Sequence, residues 1–152
     1  MEIEEIYNRQ VDMVYRICFS YFKGNKSDIE DAIQTIFMKI IDKKIIFESL
    51  EHEKAWIIVA TNNYCKNKIK HWWNQTTEID DSIKTESYYD NTLELILNLP
   101  EKYKLPIYMY YYEGYKCNEI AKILNTKENT IYSYLHTGRQ LLKEILEVDK
   151  NE

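Results

Sequence analysis

Residues 118–131 read NEIAKILNTKENTI, and their spacing is typical of two helices joined by a tight turn, as in a helix-turn-helix. Ala121 is small enough for the second helix to approach the first. Asn125 occupies the turn position that needs a left-handed backbone, which asparagine tolerates better than most residues. The hydroxyl of Thr126 is predicted to cap the second helix, and Ile131 is spaced to fill the core between the two helices. A plain helical hairpin has the same pattern, so DNA binding is one of two interpretations.

The second helix of this motif carries the side chains that could read DNA. When such a helix enters the major groove, its N-terminal residues face the base edges. Asparagine, serine and arginine can hydrogen-bond those edges, while lysine and arginine also bind phosphates. This face is only weakly basic, so we expect the chain alone to bind duplex DNA weakly. We define the recognition surface as the residues predicted on the exposed face: Lys127, Glu128, Asn129, Tyr132, Ser133, His136 and Arg139.

Helical periodicity also covers the N-terminal half of the chain. Gly24 is predicted to end the first helix, and Ser27 with Glu30 is predicted to form a capping box that opens the second. Residues 43–52 are predicted to form a loop. Apolar residues that recur every three or four positions predict helices over 3–22, 27–42 and about 53–72.

The segment before the helix-turn-helix motif is also predicted to be helical, so the expected fold is all-α. One helix is predicted to start near Asn91, and another near Pro100, a residue that suits a first helical turn. Pro106 is expected to kink or restart that second helix, and Gly114 is expected to end it. The two helices of the motif are predicted over 118–124 and 127–147.

The composition excludes several classes of protein. With three glycines and two prolines in 152 residues, the chain lacks the turn residues of an all-β fold. No run approaches the ~20 apolar residues of a membrane span, and the acidic first residues do not resemble a secretory signal. We therefore expect a cytoplasmic protein that does not insert into a membrane. Metal-ligand and disulfide spacings are missing, so we expect no metal site, no cofactor, and three cysteines buried as apolar residues: Cys18, Cys65 and Cys117.

Charge is distributed unevenly along a chain whose net charge is -5. Residues 54–77 carry four lysines and no acid, whereas residues 78–92 carry five acids and one lysine. The acidic stretch shows no helical period, which is typical of a linker. We therefore predict two small helical domains, at 1–77 and 93–148, joined by a linker at 78–92.

Within the acid-free stretch, the third predicted helix carries a row of amides and lysines. Asn63 interrupts its apolar face, and spacings of three and four residues align four side chains along one side. We define the amide–lysine stripe as Asn63, Lys66, Asn67 and Lys70. Lysines attract phosphates and amides hydrogen-bond base edges, so the stripe suits a melted DNA strand. The alternative is a buried Asn63, satisfied by neighbouring backbone, beside solvated lysines. Trp56 is predicted to be a core residue.

Several segments together resemble the extracytoplasmic-function sigma factors of bacterial RNA polymerase, the smallest members of the sigma-70 class. Residues 27–37 (SDIEDAIQTIF) are similar to the polymerase-binding helix of region 2, and residues 55–67 (AWIIVATNNYCKN) are similar to its promoter-melting helix. The motifs LPEKY at 99–103, YEGY at 112–115 and EIA at 119–121 are similar to region 4. The resemblance covers nearly the whole chain. It implies a region 2-like unit of three or four helices and a region 4-like helix-turn-helix unit.

The resemblance implies a promoter-specificity subunit that binds core RNA polymerase and promoter DNA and has no catalytic centre. The amide–lysine stripe, with the loop at 43–53, would hold the melted −10 strand, and the recognition surface would read the −35 element. An anti-sigma factor is a further candidate partner. The docking surface for the coiled-coil clamp of the largest polymerase subunit would consist of Asp31, Gln34, Thr35 and Met38.

One departure from the family pattern leaves an alternative open. The family commonly has basic residues where this chain has Tyr132, Tyr134 and Thr137. This loss favours a polymerase-binding regulator without promoter recognition of its own, whereas the intact lysine stretch favours the promoter-specificity subunit. An enzyme is the third hypothesis, but no pair of carboxylates differs from ordinary acids on a helix surface.

Overall fold

The computed structural model divides the chain into two compact units, Met1–Glu86 and Ser87–Glu152. All regular secondary structure in the described part of the chain is helical, which confirms the predicted fold class. The structure describes residues 2–75, 95, 96 and 99–150, with side chains for all of these except 73–75 and 148–150.

Helix α1 spans Ile3–Phe22 and ends where the sequence predicts. Lys23 (φ 49°) and Gly24 (φ 77°) both have a left-handed backbone. The Gly24 N–H donates a hydrogen bond to the Phe19 carbonyl at 3.3 Å. Because glycine adopts this conformation without a steric penalty, the helix stops here.

Helix α2 spans Lys26–Asp42, and the capping box predicted at its start is wrong. The N-cap is Asn25, whose side-chain oxygen accepts a hydrogen bond from the Asp28 N–H at 3.1 Å. Asparagine caps a helix as well as serine does. Since Asn25 directly follows the left-handed turn, the helix begins before Ser27.

Helix α3 spans Leu50–Gln75 and begins earlier than predicted. Ser49 starts it, because its hydroxyl accepts from the His52 N–H and its carbonyl accepts from the Glu53 N–H, both at 3.0 Å. Leu50 is 57% exposed and does not belong to the buried apolar face, so the periodicity of that face did not predict this first turn.

The three N-terminal helices pack on one another around a shared core. Val14 of α1, Ala32 of α2 and Ile57 and Ile58 of α3 are fully buried. Burial of this apolar surface provides most of the stability of the unit, since helices in proteins are stabilised mainly by the packing of an amphipathic face.

An ion pair between a partly exposed arginine and a buried glutamate joins α1 to the start of α3. Glu53 is fully buried, and both of its carboxylate oxygens accept hydrogen bonds from Nη2 of Arg9, at 3.0 and 3.2 Å. Removal of Arg9 would leave the Glu53 carboxylate buried without this partner, and an uncompensated buried charge is strongly destabilising. The pair therefore disfavours any other register of α3 against α1.

Two cysteines that are distant in sequence meet in this core. The sulfur atoms of Cys18 in α1 and Cys65 in α3 lie 3.8 Å apart, and both residues are buried free thiols. Cys117 is also buried and free. The prediction of buried cysteines is confirmed. The contact between the Cys18 and Cys65 sulfur atoms could not be predicted, because it depends on how α1 packs against α3.

The C-terminal unit contains helices α4 (Glu101–Tyr111), α5 (Cys117–Ile123) and α6 (Glu128–Lys150). Leu95 and Ile96 are also helical. The helix start predicted at Asn91 and the linker predicted at 78–92 lie outside the described residues.

The two prolines act at the start and in the middle of α4. Pro100 is the N-cap, and its carbonyl accepts from the N–H groups of Tyr103 and Lys104 at 3.0 and 3.1 Å. The helix continues through Pro106, so the predicted restart is wrong. Proline removes one donor, and the buried Pro106 is retained within the packed core. Gly114 (φ 74°) lies beyond the end of α4, where a stop was predicted.

The turn between α5 and α6 has the predicted geometry. Asn125 has a left-handed backbone (φ 52°), and the Thr126 N–H donates to the Ala121 carbonyl at 2.8 Å. Ala121 and Ile131 are both buried between the helices. The predicted cap is wrong by one residue: the Lys127 carbonyl accepts from the Ile131 N–H at 3.2 Å, so Lys127 is the N-cap.

Candidate polymerase and nucleic-acid surfaces

The predicted docking surface is exposed along helix α2. Its spacings of three and four residues align Asp31, Gln34, Thr35 and Met38 along one side. The Thr35 hydroxyl donates to the Asp31 carbonyl at 2.7 Å, so its hydrogen is already used within the helix. Gln34 and Met38, by contrast, present an amide and a thioether at the surface.

An apolar groove of about 550 Å³ borders the docking surface, between the start of α1 and α2. Gln34 and Met38 line it together with Tyr7, Phe37 and Ile41. The Tyr7 and Phe37 rings meet edge to face, with centroids 4.9 Å apart. Met38 and Ile41 are 45% and 46% exposed. An exposed apolar centre with a polar rim is the usual composition of a protein interface.

Acidic groups gather at the start of α2. Partial burial, followed by repulsion from Asp31, raises the pKa of Asp28 above its ordinary value. Lys68 of α3 opposes this rise. The half-buried Lys68 is therefore close enough to α2 to act on the Asp28 carboxyl, and it is not a member of the amide–lysine stripe.

The amide–lysine stripe lies exposed along one side of α3. The prediction that Asn63 interrupts the apolar face is wrong, because Asn63 is exposed and Asn62 is the buried amide, at 8% exposure. The Tyr21 hydroxyl of α1 donates to the side-chain oxygen of Asn62. Successive residues of a helix point about 100° apart, so a small error in the assigned face exchanges the two asparagines. The alternative of a buried Asn63 is thereby excluded.

The described tryptophans of α3 pack against the N-terminal unit. Trp56 is half-buried, with its ring centroid 5.7 Å from that of Phe47 and 5.9 Å from Nζ of Lys39. It is therefore less buried than the core position predicted for it. Trp72 is also half-buried, with its ring centroid 5.5 Å from that of Phe22. Neither ring is left as a free stacking platform.

The loop that the resemblance assigns to the melted strand joins α2 to α3. Its predicted range of 43–53 is divided in the structure, since residues from Leu50 onward belong to α3. Lys44 has a left-handed backbone (φ 51°), and Ile46 is 87% exposed. The loop therefore exposes the aliphatic side chain of Ile46 to solvent, next to the end of α2, the helix that carries the docking surface.

All seven residues of the recognition surface are exposed on the N-cap and first turns of α6. The Tyr132 hydroxyl donates to Oε1 of Glu128 at 3.4 Å. Electrostatic interaction with Cys117 and then with the Glu128 carboxylate raises the pKa of Tyr132 above its ordinary value. The hydroxyl is protonated at neutral pH, and because its single hydrogen is directed at Glu128, it offers DNA an acceptor.

Two of the three positions that lost a basic residue serve packing in this chain. Tyr134 is half-buried, and its ring meets Tyr103 of α4 edge to face at 5.8 Å. Thr137 is also half-buried. Only Tyr132, at 55% exposure, lies fully on the recognition surface. Tyr111, which accepts a hydrogen bond from Arg139, was not predicted as a site residue. Its only signal in the sequence is its place in a run of three tyrosines.

The described residues contain no cluster of side chains that could bind a metal. No set of three or more histidine, cysteine, aspartate or glutamate side chains there could hold a metal ion. Within the same residues, no helix combines the length and the apolar character that crossing a membrane requires.

Comparison with known proteins gives matches over both units. Residues 6–74 match the family model for sigma-70 region 2, and residues 89–142 match the model for sigma-70 region 4. The chain is 30% identical over 136 residues to the RNA polymerase sigma factor SigV of Bacillus subtilis, covering 85% of this chain and 81% of SigV. It is 27% identical over 161 residues to the ECF RNA polymerase sigma factor SigM of the same organism, covering 95% of each chain.

A solved structure has the same fold over nearly the full length. The sigma factor RpoE of Bartonella quintana, crystallised with the anti-sigma factor NepR, superposes with a TM-score of 0.70 at 19% identity. The superposition covers 96% of this chain and 97% of RpoE. At this identity the likeness is one of fold.

Two helical units that match regions 2 and 4 define a sigma-type transcription initiation factor. The chain belongs to the sigma-70 family of RNA polymerase sigma factors, in its extracytoplasmic-function group. It binds core RNA polymerase and promoter DNA and directs promoter-specific initiation of transcription.

Proposed function

We propose that the amide–lysine stripe of α3 grips the melted −10 strand during initiation. The observation that carries this proposal is the exposure of Asn63, Lys66, Asn67 and Lys70 along one side of a helix whose residues 54–75 include no acid. An exposed amide offers both a donor and an acceptor to the edge of an extruded base. Lysine ammonium groups one turn away can bind the flanking phosphates.

The docking surface of α2 is proposed to bind the clamp of the largest polymerase subunit. Asp31 and Gln34 supply polar contacts, while Met38 supplies exposed apolar area beside the groove. Methionine adapts its shape to a partner, which suits the centre of an interface. Both proposed surfaces of this unit lie on helices that share one core, so polymerase binding can fix the position of the stripe.

The recognition surface is proposed to read the −35 element. The first turns of α6 bring Asn129 and Ser133 to the exposed face, where they can hydrogen-bond base edges in the major groove. The exposed Tyr132 adds a neutral hydroxyl, whose oxygen can accept a hydrogen bond, at a position that is commonly basic in the family. The recognition surface therefore has the geometry to contact base edges but little positive charge to bind phosphates. We expect it to bind the −35 element only when the chain is part of the polymerase complex.

Three further properties are proposed from the family membership. The chain acts in the cytoplasm, where it meets the polymerase, and it contributes no catalytic group to RNA synthesis. An anti-sigma factor is its proposed negative partner, supported by the complex of the Bartonella RpoE relative with NepR.

The two neighbouring asparagines provide a matched test of the −10 role. Asn63→Ala is expected to reduce strand opening, measured by permanganate footprinting of a promoter with core polymerase, and to leave core binding and thermal stability unchanged. Asn62→Ala is the control: it breaks the bond from Tyr21 and is expected to destabilise the unit by about 1–3 kcal/mol. At a temperature where Asn62→Ala is folded, it should still open DNA. Normal opening by Asn63→Ala would remove the base-capture role.

A further inference from the structure

Arg139 does not project freely from α6 but is held by two tyrosines of α4. Its Nε donates to the Tyr111 hydroxyl at 2.7 Å. Its guanidinium carbon lies 5.6 Å from the ring centroid of Tyr110 and 5.7 Å from that of Tyr111, within the range of cation–π attraction. The two rings meet edge to face with centroids 5.0 Å apart. A helix outside the helix-turn-helix therefore orients one side chain of the recognition surface.

This arrangement leaves most of the arginine available to a ligand. Arginine has five N–H donors in a planar fork, and the bond to Tyr111 uses only the Nε donor. In the part of the chain that the structure describes, the terminal nitrogens of Arg139 donate to no protein group, and the side chain is exposed. A fork that is already oriented loses less conformational entropy when it binds a phosphate.

The position of Arg139 along α6 indicates which part of the DNA it meets. It lies eleven residues after Glu128, which is about 16 Å along an α-helix. The major groove is about 12 Å wide, and the N-terminal residues of the helix face the base edges. Arg139 shares its side of the helix with Tyr132 and His136, at spacings of three and four residues. A side chain this far along the same face reaches the backbone that borders the groove.

We propose that Tyr111 is a positioning residue that holds Arg139, with the help of Tyr110, as a phosphate contact at the edge of the −35 element. This inference rests on the proposed function of the recognition surface. One ordered arginine then compensates for part of the positive charge that this face lost. The half-buried Tyr110 and the exposed Tyr111 of α4 both gain a role in positioning it.

The test measures binding of holoenzyme to a fluorescein-labelled duplex as a function of salt. The duplex is the one that wild-type holoenzyme selects from a pool randomised across the −35 element, and a duplex with that element scrambled is compared. Arg139→Gln is expected to lower affinity about fivefold at 0.15 M salt and to reduce the salt slope by about 0.9, the effect of one lost phosphate contact. Because phosphates carry no sequence, the loss should be equal on both duplexes.

A double-mutant cycle separates positioning from direct contact. Tyr111→Phe keeps the ring and is expected to lower affinity about twofold, because the fork stays charged but is less ordered. In the Arg139→Gln background, the same change should have no further effect. Tyr112→Phe removes a hydroxyl from the next residue, which does not contact Arg139, and should leave affinity unchanged.

Three results would overturn the inference. An equal loss for Tyr111→Phe in both backgrounds would show that Tyr111 acts without Arg139. A second contradicting result is unchanged affinity for Arg139→Gln while Asn129→Ala and Ser133→Ala weaken binding of the selected duplex. That result would exclude the phosphate contact of Arg139 but would support recognition of the −35 element by this surface. If those two changes also have no effect and both duplexes bind equally, the proposed function of the recognition surface fails, and this inference fails with it.

Discussion

Helix α4 packs directly against the backbone of α6 at Gly138. A Cβ atom at this position would lie 1.9 Å from Cδ1 and 3.1 Å from Cγ1 of Ile107, which is itself fully buried. Glycine within a helix costs about 1 kcal/mol relative to alanine. The close approach of Ile107 explains why the chain accepts this cost in the middle of α6.

Gly138→Ala is therefore expected to destabilise the chain despite the higher helix propensity of alanine. Overpacking a core costs about 1–3 kcal/mol, which exceeds or cancels the propensity gain. Ile107→Val removes Cδ1 and should cost about 0.5–1.5 kcal/mol alone. In its background, Gly138→Ala should become neutral or stabilising. Urea unfolding of the four proteins measures this coupling, and strictly additive changes would contradict the packing explanation.

At the level of single residues, local chemistry was predictable and pairings were not. The left-handed Asn125 and the buried Ala121 and Ile131 follow from short-range spacing, and all three are confirmed. The contact between the sulfurs of Cys18 and Cys65, by contrast, depends on how α1 and α3 pack. The exposed Asn63 was assigned to the wrong face, because the apolar pattern of α3 is weak and Thr61 and Asn62 are polar residues in its buried face.

The apolar periodicity of the sequence predicted the helices, and the errors in these predictions lie at the helix ends. α2 starts at an asparagine cap and α3 at a serine cap. The first three residues of each helix, 26–28 and 50–52, include no buried apolar residue that would mark the start. α4 continues through Pro106 because tertiary packing outweighs the lost hydrogen bond. Several neighbouring polar residues can each serve as the N-cap, so the sequence predicts the end of a helix less accurately than its middle.

The docking surface of α2 can be tested as an element with a matched control on α1. Asp31→Ala combined with Gln34→Ala is expected to weaken binding to core polymerase, measured by surface plasmon resonance, because it removes an exposed carboxylate and amide beside Met38. Exposed changes of this kind usually alter stability within about 0.5 kcal/mol. Asp12→Ala combined with Asn8→Ala removes equivalent groups from the exposed side of α1 and should leave binding unchanged. Equal affinity for both double variants would exclude this docking face.

For the molecule as a whole, the distribution of charge determines when DNA can bind. The net charge is -5, and on the recognition surface Lys127 and Arg139 are opposed by Glu128. The four lysines of residues 54–77 belong to the other unit. Neither unit alone gathers the number of phosphate contacts that tight duplex binding needs.

The isolated chain is accordingly expected to bind promoter duplex no more tightly than about 1 µM at physiological salt, the range of non-specific binding. Addition of core polymerase should produce stable, sequence-dependent binding, because both units then engage DNA together. Fluorescence anisotropy with the same labelled duplex measures both states. Tight and specific binding by the chain alone would show that charge does not limit recognition.

The central claim, promoter-specific initiation by this chain, is tested most directly by mapping transcription start sites. Run-off transcripts are made from genomic DNA by core polymerase with and without the chain, and their 5′ ends are sequenced. The expected result is a set of defined start sites that appear only with the chain and share sequence elements near −10 and −35. Stable binding of the chain to core polymerase without any defined start site would contradict it and would identify a polymerase-binding regulator instead.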